Sequence, residues 1–264
     1  MINAKFSANF ADTMFPDEFD ALMADQDSPL AVLPVGSVEW FGPQMLLGCD
    51  GYVAMALADM TAAKAKGVLF PMLPYAFIGG LRPYAGTMDM TPYITGRLME
   101  QVCLGILKQG FKRLMIVNCH GGGSQMVHSV ARSVYKQTKL PVIPVFQSSI
   151  YFSWFEVVDI WKKHGVPYDW TIMSTNSLAG ALAHMGCDKL VEKVMADNAA
   201  CYAQYGAYDP PREVPSLAAI RQFGSVGSDD MFKAKLSETL SVEGALEVMD
   251  FLSDKLAWVA QENV

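Results

Sequence analysis

The sequence lacks several features that mark secreted, membrane or nucleic-acid-binding proteins. Its five cysteines are scattered and form no CxxC pair, which favours reduced thiols in a cytoplasmic protein. No window reaches the roughly 18 unbroken apolar residues of a membrane span, and the mixed, acidic N-terminal segment does not resemble a signal peptide. A net charge of −7 argues against nucleic acid or an anionic membrane as the partner.

Apolar residues are plentiful, at 52% of the 264 residues, and they suffice for the core of one large domain over residues 1–264. Short apolar runs alternate with helical patterns, which predicts an α/β fold with a mostly parallel central sheet covered by helices. The predicted strands are Ala31–Val35, Val68–Leu73, Leu114–Asn118 and Pro141–Phe146. The predicted helices are Gly51–Lys66, Thr91–Gln109, Ser124–Thr138, Leu178–Ala199 and Glu243–Gln261.

Chemically reactive side chains follow two of these strands. The stretch LPVGSVEWFGPQMLLGCD, residues 33–50, supplies Glu39 and Asp50, and NCHGGG supplies His120. Because the carboxyl ends of parallel strands share one edge of a sheet, the three residues are expected to meet there. Two carboxylates and an imidazole suit a divalent cation such as Zn²⁺, Mn²⁺ or Fe²⁺. By spacing alone, a strand-end acid is more often a helix cap or an ion-pair partner than a metal ligand.

Four further residues are candidates for contact with a substrate. Arg82, in GGLRPYAGT, suits a carboxylate or the oxygens of a polyol, although a surface arginine explains the pattern as well. Trp40 and Trp154 can wall a flat or cyclic molecule, while aromatic residues near strand ends are commonly core. His184 can turn into the pocket, although a lone histidine on a helix is more often structural.

Four motifs carry a resemblance to a known family. LPVGSVEWFGPQMLLGCD resembles the signature of the creatinine amidohydrolase (creatininase) family, and VNCHGGG is similar to that family's NGHGGN. PYAGTMDMTP resembles its FPGT segment, and TNSLAGALAHM lies where its HAGE-like segment falls. The resemblance implies a creatininase-like three-layer sandwich, a homo-oligomer (a hexamer) and action on a small cyclic polar substrate.

The same resemblance implies which residues hold metal. The first-site ligands of the family are all present here, as Glu39, Asp50 and His120. The second site is incomplete, because Phe41 replaces a histidine and Gly122 or Ala183 stands in place of a glutamate. Three further family positions are also substituted, at Gln44, Leu178 and Ala181.

The sequence therefore predicts a metal-dependent hydrolase with one divalent cation per chain (Zn, Mn or Fe). A metal-activated water would cleave a cyclic amide C–N bond, or a ring C–C bond next to a ketone as in a keto-inositol. The predicted catalytic residues are Glu39, His120 and Arg82. The predicted substrate contacts are Trp40, Phe41, Gln44, Arg82, Trp154 and His184. The alternative is a catalytically inactive homologue that binds a ligand or supports a partner subunit, which the substituted positions favour and the surviving ligand set opposes.

Overall fold

A computed structural model of the chain describes residues 4–40, 45–78, 82, 84–146, 155–167, 170–196 and 240–262. Its strands are β1 (Asn9–Phe10), β2 (Leu30–Val35), β3 (Val68–Leu69), β4 (Arg113–Asn118) and β5 (Val142–Phe146). Its helices are α1 (Pro16–Ala24), α2 (Cys49–Ala65), α3 (Pro92–Lys108), α4 (Ser124–Thr138), α5 (Phe155–Lys163), α6 (Trp170–His184), α7 (Asp188–Met195) and α8 (Val242–Glu262). Among these described helices, none is long and apolar enough to cross a bilayer.

The strands form one parallel sheet in the order β1-β3-β2-β4-β5. The central strand β2 reads LAVLPV and is buried at every position, as expected for a parallel strand covered on both faces. Leu30 and Val32 pack toward a layer that contains α2, α5, α6 and α8. Ala31 and Leu33 pack toward α3 and α4 on the opposite face. The predicted three-layer α/β sandwich is therefore confirmed.

Several predicted elements are observed with small changes at their ends. Helix α4 has the predicted bounds, and α3 begins with Pro92 at its first position behind the N-cap Thr91. The prediction of a strand over Val68–Leu73 is too long, because the regular strand ends at Leu69 and proline residues follow; beyond it Leu73 makes an isolated bridge with Val35. The short strand β1 and helix α1 were not predicted.

The prediction of one helix over Leu178–Ala199 is wrong within the described residues. Helix α6 ends at His184, and α7 begins at Asp188. The amide of Cys187 donates to the carbonyl of Leu182 and that of Gly186 donates to Ala183, the pair of bonds that ends many helices at a glycine. Gly186 has φ +70°, the left-handed conformation that this ending requires.

A buried carboxylate ties the N-terminal segment to the sandwich. Asp59 of α2 is fully buried and accepts hydrogen bonds from the amides of Ser7 and Ala8, each 2.9 Å long. The Nε2 atom of His184 lies 2.7 Å from the same carboxylate. Burial by itself raises the pKa of Asp59, but the bonds from His184, Ala8 and Ser7 lower it below its ordinary value of 3.8.

We expect Asp59→Asn to lower the free energy of unfolding by about 1.5–3 kcal/mol at pH 7, because an amide cannot replace all of these charge-assisted bonds. The folded carboxyl has the lower pKa, so its contribution is complete above the unfolded pKa and is lost as the pH falls through the folded value. Urea unfolding of both proteins from pH 7 to pH 3 should show the difference shrinking below about pH 4.

Asp254→Asn is the control, because Asp254 pairs with Lys64 at the surface, where its side chain is 64% exposed. Its removal should change stability little. A difference between Asp59→Asn and the parent protein that stays constant down to pH 3 would contradict the assigned role of the carboxylate.

Candidate metal centre

The carboxyl edge of the sheet brings three separate segments together. Strands β2 and β4 are neighbours, with Val35 paired to Asn118, so the chain leaves both strands at the same level. Helix α2 packs tightly behind this point, since a Cβ atom on Gly36 would lie 2.4 Å from the Cα of Gly51. This close approach of two backbones places the first turn of α2, which carries Asp50, beside the end of β2.

Glu39, Asp50 and His120 form a compact buried cluster at this edge. Their exposed fractions are 4%, 5% and 3%. The Nδ1 atom of His120 lies 2.9 Å from Oε1 of Glu39 and 3.1 Å from Oδ2 of Asp50. One candidate ligand atom from each residue lies within 4.8 Å of the other two. The structure therefore brings together all three residues that the sequence analysis named as metal ligands.

A serine hydroxyl holds the two acids next to each other. Ser37 Oγ lies 2.9 Å from Oε1 of Glu39 and 3.1 Å from Oδ2 of Asp50, and Ser37 is itself buried. The same two carboxylate oxygens face Nδ1 of His120, so hydroxyl and imidazole converge on one pair of atoms. Ser37 thus orients the carboxylates toward a common point.

The backbone of Phe77 determines which nitrogen of His120 faces the acids. Nε2 lies 2.9 Å from the Phe77 carbonyl oxygen and must donate a proton to it, because a carbonyl can only accept. Nδ1 is left to face the carboxylates, either protonated or with its lone pair free. Burial by itself lowers the pKa of His120, but hydrogen bonds to Asp50 and Glu39 raise it to about 10.

The donor set suits a divalent cation. Burial raises the pKa of Glu39 above its ordinary value, although the bond to His120 acts in the opposite direction. Zn²⁺ and Mn²⁺ accept two carboxylate oxygens and an imidazole nitrogen as ligands, and here the other imidazole nitrogen is fixed by a backbone carbonyl. Three protein ligands leave positions open for a substrate. Glu39, Asp50 and Nδ1 of His120 are the atoms that would hold the ion.

The residues around His120 leave it little freedom. The Asn118 side chain accepts from the His120 amide at 3.3 Å and donates to its carbonyl at 2.8 Å, which closes the turn after β4. On the other side, a Cβ atom at Gly122 would lie 2.7 Å from Nε2 of His120 and 3.0 Å from the Phe77 carbonyl oxygen. The glycine is therefore required for the imidazole to reach Phe77.

The structure describes three of the other predicted site residues. The Trp40 ring stacks on Tyr84 with 4.3 Å between centroids, and its amide donates to Thr87. Arg82 is exposed on the loop between β3 and α3. His184 pairs with Asp59, nine residues along α2 from Asp50 or about 13 Å, and is not part of the cluster. Phe41, Gln44 and Trp154 lie outside the described residues.

Sequence reasoning missed the residues that orient the ligands. Ser37 stands inside the same motif as Glu39, and a hydroxyl two residues before an acid is a signal that could have been used. The carbonyl of Phe77 could not have been found, because any residue offers one. Cys49 and Cys119, which adjoin two of the ligands, pack in the apolar core, and burial raises the pKa of both thiols.

A parallel three-layer sandwich with a buried acid–imidazole cluster at its carboxyl edge defines an α/β protein with a candidate cation site. Comparison with known families agrees with this class: the profile of the creatininase family, described as creatinine amidohydrolase, matches residues 13–191. The chain belongs to the creatininase family.

Curated relatives are distant. A mycofactocin precursor peptide peptidase of Mycobacterium tuberculosis is 31% identical over 110 residues, which are 36% of this chain and 41% of that protein. A 3-dehydro-scyllo-inosose hydrolase of Thermotoga maritima is 26% identical over 148 residues, covering 53% of this chain and 44% of that protein. The chain thus spans less than half the length of these relatives.

Solved structures match over nearly the whole chain. A crystal structure of creatinine amidohydrolase has a TM-score of 0.70 at 18% identity, covering 97% of this chain and 98% of that one. A manganese creatininase has a TM-score of 0.71, also at 18% identity and with the same coverage. A putative creatinine amidohydrolase from Bacteroides fragilis has a TM-score of 0.63 at 16% identity, covering 98% and 97% of the two chains. At these identities the likeness shows the fold.

We expect Gly122→Ala to weaken the affinity for Zn²⁺ or Mn²⁺ by about ten- to hundredfold, because the new methyl group displaces His120 from the Phe77 carbonyl. Calorimetric titration of each metal into the folded protein measures the effect.

Gly121→Ala is the matched control, since a Cβ atom there meets nothing within 4 Å. Its affinity should equal that of the parent protein. If Gly122→Ala also bound metal as tightly as the parent protein, the contact between His120 and Phe77 would not support metal binding.

Proposed function

We propose that this protein is a metal-dependent hydrolase with one divalent cation per chain, held by Glu39, Asp50 and His120. The observation that carries the proposal is the convergence of these three buried side chains at the carboxyl edge of the sheet. A divalent cation supplies Lewis acidity toward a carbonyl and a nucleophilic water at neutral pH. Ser37 orients the carboxylates, and the Phe77 carbonyl holds the proton of Nε2 so that Nδ1 points toward the ion.

A single cation is favoured over a pair. Phe41 stands where the family resemblance implies a histidine ligand for a second metal, and an aromatic hydrocarbon has no ligand atom. At position 122, one of the two places for the missing glutamate, a Cβ atom would collide with His120 and Phe77. A second ligand set of the family type would therefore require rearrangement of the first.

Two substrate classes fit a carbonyl polarised by one cation. The relative named as a peptide peptidase and the description of the family as creatinine amidohydrolase support an amide C–N bond, cyclic or open. The relative named as an inosose hydrolase supports a ring C–C bond next to a ketone. In either case Glu39 and His120 are the proposed catalytic residues. Arg82 is exposed two residues before Tyr84, which stacks on Trp40, and is a proposed contact for the polar end of the substrate.

One observation favours the alternative, a catalytically inactive homologue that binds a ligand or supports a partner subunit. Leu178 and Ala181, at positions where the resemblance implies a histidine and a glutamate, are fully buried in the apolar core. The helix α6 therefore presents hydrocarbon where a family member would carry an acid or base. Metal content and turnover separate the two functions.

We expect elemental analysis to find about one Zn, Mn or Fe per chain in the purified parent protein. The Glu39→Gln, His120→Ala double variant should contain none, because two of the three ligands are gone. Hydrolysis of cyclic and open amides and of keto-inositols is then assayed with the metal-loaded protein. Activity should be present in the parent protein and absent from the double variant.

Glu100→Gln is the control for loss of a buried carboxylate. Glu100 lies between α3 and α4, where it accepts from Ser133 at 2.5 Å and Gln137 at 3.0 Å. This variant should retain its metal. Two metals per chain would contradict the single site, and no metal after loading with excess cation would leave the inactive homologue.

We also propose that the protein is a homo-oligomer. The family resemblance implies a hexamer. Supporting this, four large apolar residues are exposed near the start of α3 and on the loop before it: Tyr75 (46%), Met88 (52%), Tyr93 (73%) and Ile94 (49%). Light scattering after size-exclusion chromatography should give a mass several times that of one chain. Tyr93→Glu should reduce that mass, while Tyr135→Glu on α4 should not. A monomeric parent protein would contradict the proposal.

A further inference from the structure

A cavity of about 610 Å³ has Ser37, Val38 and Gly48 in its lining, next in sequence to Glu39 and to the first turn of α2. The hydroxyl of Ser37 contacts Glu39 and Asp50, so the cavity adjoins the acid cluster through Ser37, although Glu39, Asp50 and His120 do not themselves line it. A larger cavity among the described residues, about 970 Å³, lies at the opposite edge of the sheet, where Ser28, Gly67 and Arg113 begin or precede strands, so it does not adjoin the cluster.

The lining of the cavity beside the cluster is mainly hydrocarbon. Its apolar side chains come from the segment before α2, from the segment after β3 and from α7: Met45, Leu46, Leu47, Met72 and Leu190. A polyol bound here would lose water from several hydroxyl groups and find few partners, which costs free energy for each one left unpaired. An apolar group would be stabilised by burial against the same side chains.

Two polar groups stand out against this lining. Lys193 is the only charged residue among the described residues that line the cavity, and it lies one turn after Leu190 on the same face of α7. Tyr52 contributes a half-buried ring whose hydroxyl can donate a hydrogen bond. A lysine and a phenol at the wall of an apolar cavity fit an anionic oxygen on an otherwise hydrophobic ligand.

We propose that this cavity is the substrate pocket and that it takes an amide whose apolar body packs on Met72 and Leu190 and whose carboxylate pairs with Lys193. The identity of the bond cleaved rests on the proposed hydrolase function, whereas binding in the cavity does not. Of the two substrate classes, the lining favours the amide over the keto-polyol.

The test measures binding to the full chain after treatment with a chelator, so that a carboxylate cannot bind through a metal. The probes are butanoate, hexanoate, 1-hexanol and myo-inositol, followed by calorimetry or ligand-observed NMR. Affinity should rise about fourfold for each buried CH₂ group from butanoate to hexanoate. Hexanoate should bind about two- to fivefold more tightly than 1-hexanol, as expected for an exposed lysine–carboxylate pair, and myo-inositol should bind most weakly.

Three variants localise the binding. Lys193→Met should remove the preference for hexanoate over 1-hexanol. Lys189→Met should preserve it, because Lys189 is exposed on the same helix one turn earlier and is not part of the lining. Leu190→Asn should flatten the increase from butanoate to hexanoate while leaving the preference for the carboxylate. A flat chain-length series, tighter binding of myo-inositol, or equal losses in the two lysine variants would overturn the proposal.

The outcomes separate this proposal from the proposed function. A steep chain-length series in a protein that takes up no metal even after loading with excess cation would sustain the pocket and overturn the hydrolase. One metal per chain with a flat series would sustain the cation site and overturn the pocket.

Discussion

The structure depends on how the chain compensates for two carboxylates that are buried side by side at the end of β2. Each buried ion loses several kcal/mol of hydration unless a positive charge and hydrogen bonds replace the water. Without a bound cation, protonated His120 supplies the positive charge and Ser37 a hydroxyl; a cation held at Nδ1 would supply the charge in place of that proton. The two acids and the imidazole come from a loop, a helix and a strand end, so the placement of β4 beside β2 in the sheet is what makes the compensation possible.

The same cluster constrains the residues packed around it. It carries two carboxylates against one imidazole, a balance that a divalent cation would suit. The absence of a side chain at Gly122 leaves the space that the imidazole needs to reach the Phe77 carbonyl. Helix α6 contributes Leu178 and Ala181 to the apolar core.

Local patterns were sufficient for the main elements of the fold. The apolar runs of β2 and β4 could be recognised because strands buried on both faces contain few polar residues. The start of helix α3 could be predicted from Thr91 at the N-cap and Pro92 at the first helical position. The strand β1 could not be recognised, since two residues carry no periodicity and their pairing with β3 is a tertiary contact. The break between α6 and α7 was missed although Gly186 marks it.

The sequence by itself determined the alternation of strands and helices and the three residue types that meet at the sheet edge, because apolar periodicity and the order of the motifs are local properties of the chain. Only the tertiary structure decided which nitrogen of His120 faces the acids. It also decided that Ser37 contacts both carboxylates and that His184 pairs with Asp59, nine residues beyond Asp50 on α2. Only the tertiary structure also placed an apolar cavity beside the cluster. Apart from the contact between Ser37 and Glu39, these contacts join residues distant in the chain, and their directions follow from packing, which no local pattern encodes.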